Sequence, residues 1–187
     1  MCCVRKYSRE NSYYSGDVML QVKLTAIDRF LRCRIQHYDP IKYWKYRADV
    51  ISCGGGYIRT LICRMKLLYI KRCGAFNNAT LGTHLGFGAT FADVPNFPHG
   101  LYGIVVSHNA VIGKNVTIYH QVTIGEGKGG APSIGNDVMI GAGAKIIGNI
   151  KVGNGAKIGA GCVVRKDIPE GAIVVPPEPN VIIRDMN

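Results

Sequence analysis

The sequence has no run of about 18 uninterrupted apolar residues, which argues against an ordinary membrane-spanning helix. It opens without a secretory pattern of charge followed by an apolar stretch, and it contains no Cys-x-x-Cys pair. Its seven cysteines are odd in number, a usage that fits free thiols and leads to the expectation of a reducing, cytoplasmic setting. Histidines at metal-site spacing are also missing. His84 and His120 lie 36 residues apart, but no third histidine follows where a zinc site would need one, so no metal is expected.

Acidic residues are scarce, at 12 Asp and Glu against 23 Lys and Arg, for a net charge of +11. The imbalance is local: residues 1–75 hold 15 Lys and Arg against 5 Asp and Glu, while residues 76–187 hold 8 against 7. The two regions are therefore physically different, and a boundary is expected between 1–75 and 76–187. A basic segment suits an anionic membrane surface, nucleic acid or an acidic polymer. A solvated helical face is the plainer reading of the same charge, and peripheral membrane contact through the basic N-terminal helices is kept beside it, with no nucleic-acid partner.

The basic region reads as helical. Leu20, Leu24, Ile27 and Leu31 share one helical face, and Pro40 ends that element or its loop. Ser52-Cys53-Gly54-Gly55-Gly56 breaks the chain. A second helix then carries Ile58, Leu61, Ile62, Met65, Leu68 and Tyr69 on one stripe, which is expected to be a packing face.

From about residue 104 the rhythm changes. Val106, Ile112, Ile118 and Ile124 are each six apart, as are Ile134, Ile140, Ile146, Val152, Ile158 and Val164. The step from Ile124 to Ile134 is four residues longer. Four positions after most anchors stands another apolar or small residue, such as Ala110, Val122, Ala144 or Cys162. A helix needs a 3.6-residue period and a lone strand only alternation, so a sustained period of six indicates a solenoid. Each unit is one short strand and a turn, three units close a triangular coil, and the anchors stack inward on the next coil. The abundant glycines, 24 in all, suit corners that need positive φ or close backbone approach.

The stretch from Ile140 through Gly141-Ala142-Gly143-Ala144-Lys145 to Cys162-Val163-Val164 resembles the C-terminal coils of serine acetyltransferases. Gly103-Ile104-Val105-Val106 and Val122-Thr123-Ile124-Gly125 resemble the earlier coils of that family. The resemblance covers residues about 76–180 and extends to the hexapeptide-repeat acyltransferase superfamily, including polysaccharide O-acetyltransferases. It implies a mainly β fold, a left-handed parallel β-helix after a short α-helical region. It also implies a homotrimer with sites between neighbouring β-helices and a protruding loop, here Glu126–Pro132, helping to close each site.

The same resemblance implies an O-acetyltransferase that uses acetyl-CoA. An alcohol attacks a thioester poorly until a positioned base removes its proton, and the family's base matches His99, in Pro98-His99-Gly100-Leu101-Tyr102-Gly103. His120 is the second candidate at this site. Ala142 and Ala160 match positions whose backbone contacts the CoA arm, while Lys145, Lys157 and Lys166 are candidates for its phosphates. The matched site residues all lie outside the basic region, which is expected to be dispensable for the chemistry. The family holds serine with an Asp beside the base and an Arg-His pair in the loop. Here Pro98 precedes His99 and the loop ends Ala131-Pro132-Ser133, so a sugar hydroxyl is the expected acceptor. L-serine and a non-catalytic β-helix scaffold are the alternatives.

Overall fold

The computed structural model describes residues 34–35 and 37–178. The helix expected over Leu20–Leu31 lies outside the described residues. Two helices come first: α1 (Pro40–Ile51) and α2 (Tyr57–Asn77). Pro40 begins α1, since a residue with no N–H and a fixed φ suits the first turn of a helix, and so closes the loop before it. The glycine-rich segment separates the two helices as expected, with Gly55 at φ 113°. Asn78, in the left-handed region, caps α2 by donating its backbone N–H to the last-turn carbonyls.

The rest is a parallel solenoid with three faces. The first face orders β1 (Thr80–Leu81), β5 (Val105–Val106), β8 (Thr123–Gly125), β11 (Lys145–Ile147) and β14 (Val163–Val164). The second orders β4 (Thr90–Phe91), β6 (Val111–Ile112), β9 (Ser133–Ile134) and β12 (Lys151–Val152). The third orders β7 (Thr117–Ile118), β10 (Met139–Ile140), β13 (Lys157–Ile158) and β15 (Ile173–Val174). The architecture is consistent with the left-handed winding that the resemblance implies.

Register explains why the period reads so clearly. Ile140 pairs with Ile158 and Ile146 with Val164, one regular coil on. Where the coil contains the insertion, Ile124 still pairs with Ile146 and Ile112 with Ile134. The extra residues therefore bulge out without shifting a single anchor. Every anchor from Val106 to Val164 is at most 3% exposed, as are Ala110, Val122, Ala144 and Cys162. Burying an aliphatic side chain contributes about 1.5–3 kcal/mol, and here each coil repeats that gain against its neighbour.

The glycines divide by mechanism. Gly141 follows an anchor where a Cβ would stand 2.6 Å from the backbone nitrogen of Ala160, so it is required by close approach between coils. Gly143 and Gly161 sit at φ 70° and are required by the corner itself.

The β-helix begins earlier than the period shows, at Thr80. A short antiparallel hairpin of β2 (Thr83–His84) and β3 (Phe87–Gly88) interrupts its first coil and masks the repeat there. From Pro40 onward the described residues form one compact unit, in which α1 and α2 pack with the coils. Tyr43 and Val50 of α1 are buried, and Arg47, 6% exposed, donates Nε–H to Thr83 Oγ1 (3.1 Å) and Nη2–H to the carbonyls of Leu81 and Ala89. Its guanidinium also lies over Trp44 and Phe91. Burial lowers the Arg47 pKa to about 10, an effect that nearby Tyr43 partly offsets, and burial pushes the Tyr43 phenol up to about 12.

One expectation about α2 is reversed. Its buried face is Cys63, Ile70, Cys73 and Asn77. Of the stripe, Ile58, Leu61, Ile62, Met65 and Leu68 face outward, 50 to 75% exposed, while Tyr69 is half-buried and meets Tyr46 edge to face. Helical spacing identifies an apolar stripe but not the direction in which the stripe turns.

Candidate active site

The site is built at the corner where the third face turns into the first. In a regular coil this corner is short, as in Tyr119–Val122 between β7 and β8. One coil earlier, Asn96 bridges Thr117 at the third-face position and the chain does not reach β5 until Val105. The segment between them is therefore enlarged. Leu101 and Ile104 anchor it by burial, and Gly100 and Gly103 turn it at φ 72° and 68°. Gly103 donates its N–H to the carbonyl of Asn77 at 2.9 Å, so the last turn of α2 helps hold this corner.

The enlargement lifts His99 over the next coil. Its Nδ1 lies 2.8 Å from Nδ1 of His120, and its ring meets Tyr119 edge to face at 5.4 Å. His99 is exposed and His120 half-buried. A hydrogen bond between two imidazole nitrogens requires one ring to donate and the other to accept. The donor ring then keeps an Nε2 lone pair and the acceptor ring an Nε2–H. One neutral pair thus offers a proton acceptor and a proton donor side by side.

The sequence pointed to His99 but did not reveal its contact with His120. The signal was the long spacing from Pro98 to Gly103, which marks an enlarged corner without fixing where its side chain swings.

The residues matched to the CoA arm stand on the same corner. Gln121 donates its N–H to the carbonyl of Tyr102, Gly143 to that of His120 and Gly161 to that of Ala142, at 2.8 to 3.0 Å. Tyr102, His120, Ala142 and Ala160 therefore form a column of successive corners. With strands about 4.8 Å apart, Ala160 lies roughly 10 Å along the column from His120. The alanines leave backbone accessible, and both retain solvent exposure.

The lysines divide around this column. Lys145 projects from β11 on the first face and Lys157 from β13 on the third, both exposed and flanking the alanine corners. Lys166 is exposed but lies past β14, at the next corner.

The loop Glu126–Pro132 is also one corner away from the imidazoles. It folds as a tight hairpin in which Gly127 and Gly130 exchange backbone hydrogen bonds. Glu126 accepts from Ser107 Oγ at 3.3 Å and Asn109 Nδ2 at 3.1 Å within its own chain. His84 stacks on Phe87 and meets His108 edge to face. Burial lowers the His84 pKa, with Lys71 and His108 adding to the effect. Among the described residues no group of three or more His, Cys, Asp or Glu is placed to hold a metal ion.

Residues 131–166 match the family described as bacterial transferase hexapeptide (six repeats). A serine acetyltransferase of Mycobacterium tuberculosis is 46% identical over 112 residues, 58% of this chain and 48% of that protein. One from Synechococcus elongatus is 41% identical over 149 residues, 73% of this chain and 60% of its own length. The chain thus spans roughly half the length of the curated relatives it matches. Among solved structures, soybean serine acetyltransferase complexed with serine aligns at a TM-score of 0.58 and 33% identity, over 78% of this chain and 58% of that one. A serine acetyltransferase in complex with CoA aligns at 0.56 and 32%, over 71% and 52%.

Proposed function

We propose that this member of the hexapeptide-repeat acyltransferase superfamily transfers an acetyl group from acetyl-CoA to a hydroxyl, with His99 as general base. The observation that carries the proposal is the corner column, which aligns Ala160 and Ala142 with His120 and, through its ring, with His99. An extended amide-bearing arm laid on the alanine corners meets exposed backbone and little side-chain bulk. Lys145 and Lys157 flank that path as point charges for an anionic end. His99 takes the proton of the acceptor hydroxyl as its oxygen attacks the thioester carbonyl, and returns a proton to the departing thiolate. His120 holds the His99 ring in place and supplies the complementary tautomer.

L-serine is the acceptor we favour over the sugar hydroxyl expected from the sequence. The similar proteins are serine acetyltransferases, and one neighbouring structure is complexed with serine. A sugar acceptor keeps one supporting observation: the loop ends Ala131-Pro132-Ser133 and offers no Arg fork for a carboxylate. Thiol release from acetyl-CoA, measured against serine, free sugars and nucleotide sugars, separates the two. Release dependent on serine alone supports our reading, release with saccharides alone assigns the sugar, and no release with any hydroxyl acceptor rejects the transferase.

A further inference from the structure

The outward stripe of α2 takes no part in the proposed chemistry. Ile58, Leu61, Ile62, Met65 and Leu68 are half to three-quarters exposed along about 15 Å of one helix. Large aliphatic side chains gathered in this way mark a surface that is covered in use. Every charged residue of the same helix is basic: Arg59, Arg64, Lys66, Lys71 and Arg72. Of these, Lys66 is paired, to Asp49 at 2.7 Å.

Charge decides between occupants. A second copy of α2 would bring five further cations against the first five. Residues 1–39 of the chain hold seven Lys and Arg against four Asp and Glu, so they too are basic. Only a negatively charged surface complements the helix, and the stripe requires that this surface also accept aliphatic side chains. No helix among the described residues is long and apolar enough to cross a membrane, which leaves attachment in the plane of the interface. We infer that α2 lies against an anionic lipid bilayer, inserting Ile58, Leu61, Ile62, Met65 and Leu68 below the headgroups, with Arg64, Lys71 and Arg72 at the phosphate level. The inference is independent of which acceptor the site takes.

The full chain is mixed with vesicles of equal parts phosphatidylglycerol and phosphatidylcholine, or of phosphatidylcholine alone, and sedimented. It sediments with the anionic vesicles, and binding falls steeply in about 0.5 M salt, where the screening length is only a few ångströms. Replacing Arg64 and Arg72 by Gln together lowers partitioning about 30-fold, since each basic residue near an anionic surface contributes about five-fold. Leu61→Gln with Met65→Gln lowers it at least about ten-fold. Both pairs keep wild-type helix content and unfolding midpoint, because neither side-chain set is buried. Equal sedimentation with both vesicle types, or none with the anionic ones, overturns the inference. So does a change of oligomeric state in the Leu61/Met65 pair without lipid binding, which makes the stripe an interface between copies.

Discussion

At the residue scale the proposed chemistry rests on the imidazole pair. His99→Ala removes the proposed proton acceptor, and general-base catalysis typically contributes about 10²–10⁴-fold, so kcat should fall by that order. Affinity for CoA should barely change, because His99 stands at the far end of the column from Ala160. His120→Ala leaves the base in place but removes its 2.8 Å partner, and should cost roughly ten-fold in kcat with little change in KM for acetyl-CoA. Steady-state kinetics of both variants check this. If His120→Ala is the inactive variant and His99→Ala keeps its rate, the base sits on the regular coil and the enlarged corner merely covers it. One more substitution tests the groove: Ala160→Trp should weaken CoA binding severely by calorimetry while leaving the core intact, since the side chain at 160 points out of the coil.

At the scale of elements, legibility follows from how directly a pattern reports burial. The six-residue period was readable because each anchor is buried by the same coil geometry, and the insertion after Ile124 could be located because it leaves the stacking of Ile112 on Ile134 unbroken. The first coil was hidden by the β2–β3 hairpin, and the outward stripe of α2 was misread because its amphipathicity is real while its partner lies elsewhere. Arg47 could not have been found at all from a pattern, since its acceptors are carbonyls some forty residues away. It fastens α1 to the first coil and so bears on whether the basic region is dispensable. Arg47→Ala should destabilise the protein by about 2–4 kcal/mol, because two carbonyls and a hydroxyl lose a buried donor. Arg47→Lys should recover only part of this, having no planar fork to span three acceptors. Denaturant unfolding measures both, and a midpoint unchanged in Arg47→Ala would show that α1 is an appendage after all.

At the scale of the whole molecule, the site and the loop pose a geometric problem. His99 and His120 stand where the third face meets the first, whereas Glu126–Pro132 projects where the first meets the second. A loop one corner away does not close over imidazoles of its own chain. We propose that in a ring of three copies each loop instead reaches the imidazole corner of a neighbour, through a head-to-tail interface that closes on itself. Light scattering should therefore report a trimer. The stronger check is complementation. Chains carrying His99→Ala are mixed and co-refolded with chains lacking Lys128 and Gly129, the tip of the loop. Each parent alone has every site damaged. In a mixed ring, a site is whole wherever an intact histidine corner faces an intact neighbouring loop, so equal mixing should restore about a quarter of wild-type turnover. The recovered activity should appear only in the trimer fraction and vanish when the parents are mixed without exchange. If the mixture shows no gain, the histidines and the loop act within one chain, and the corner column must be reached by a path that the loop does not guard.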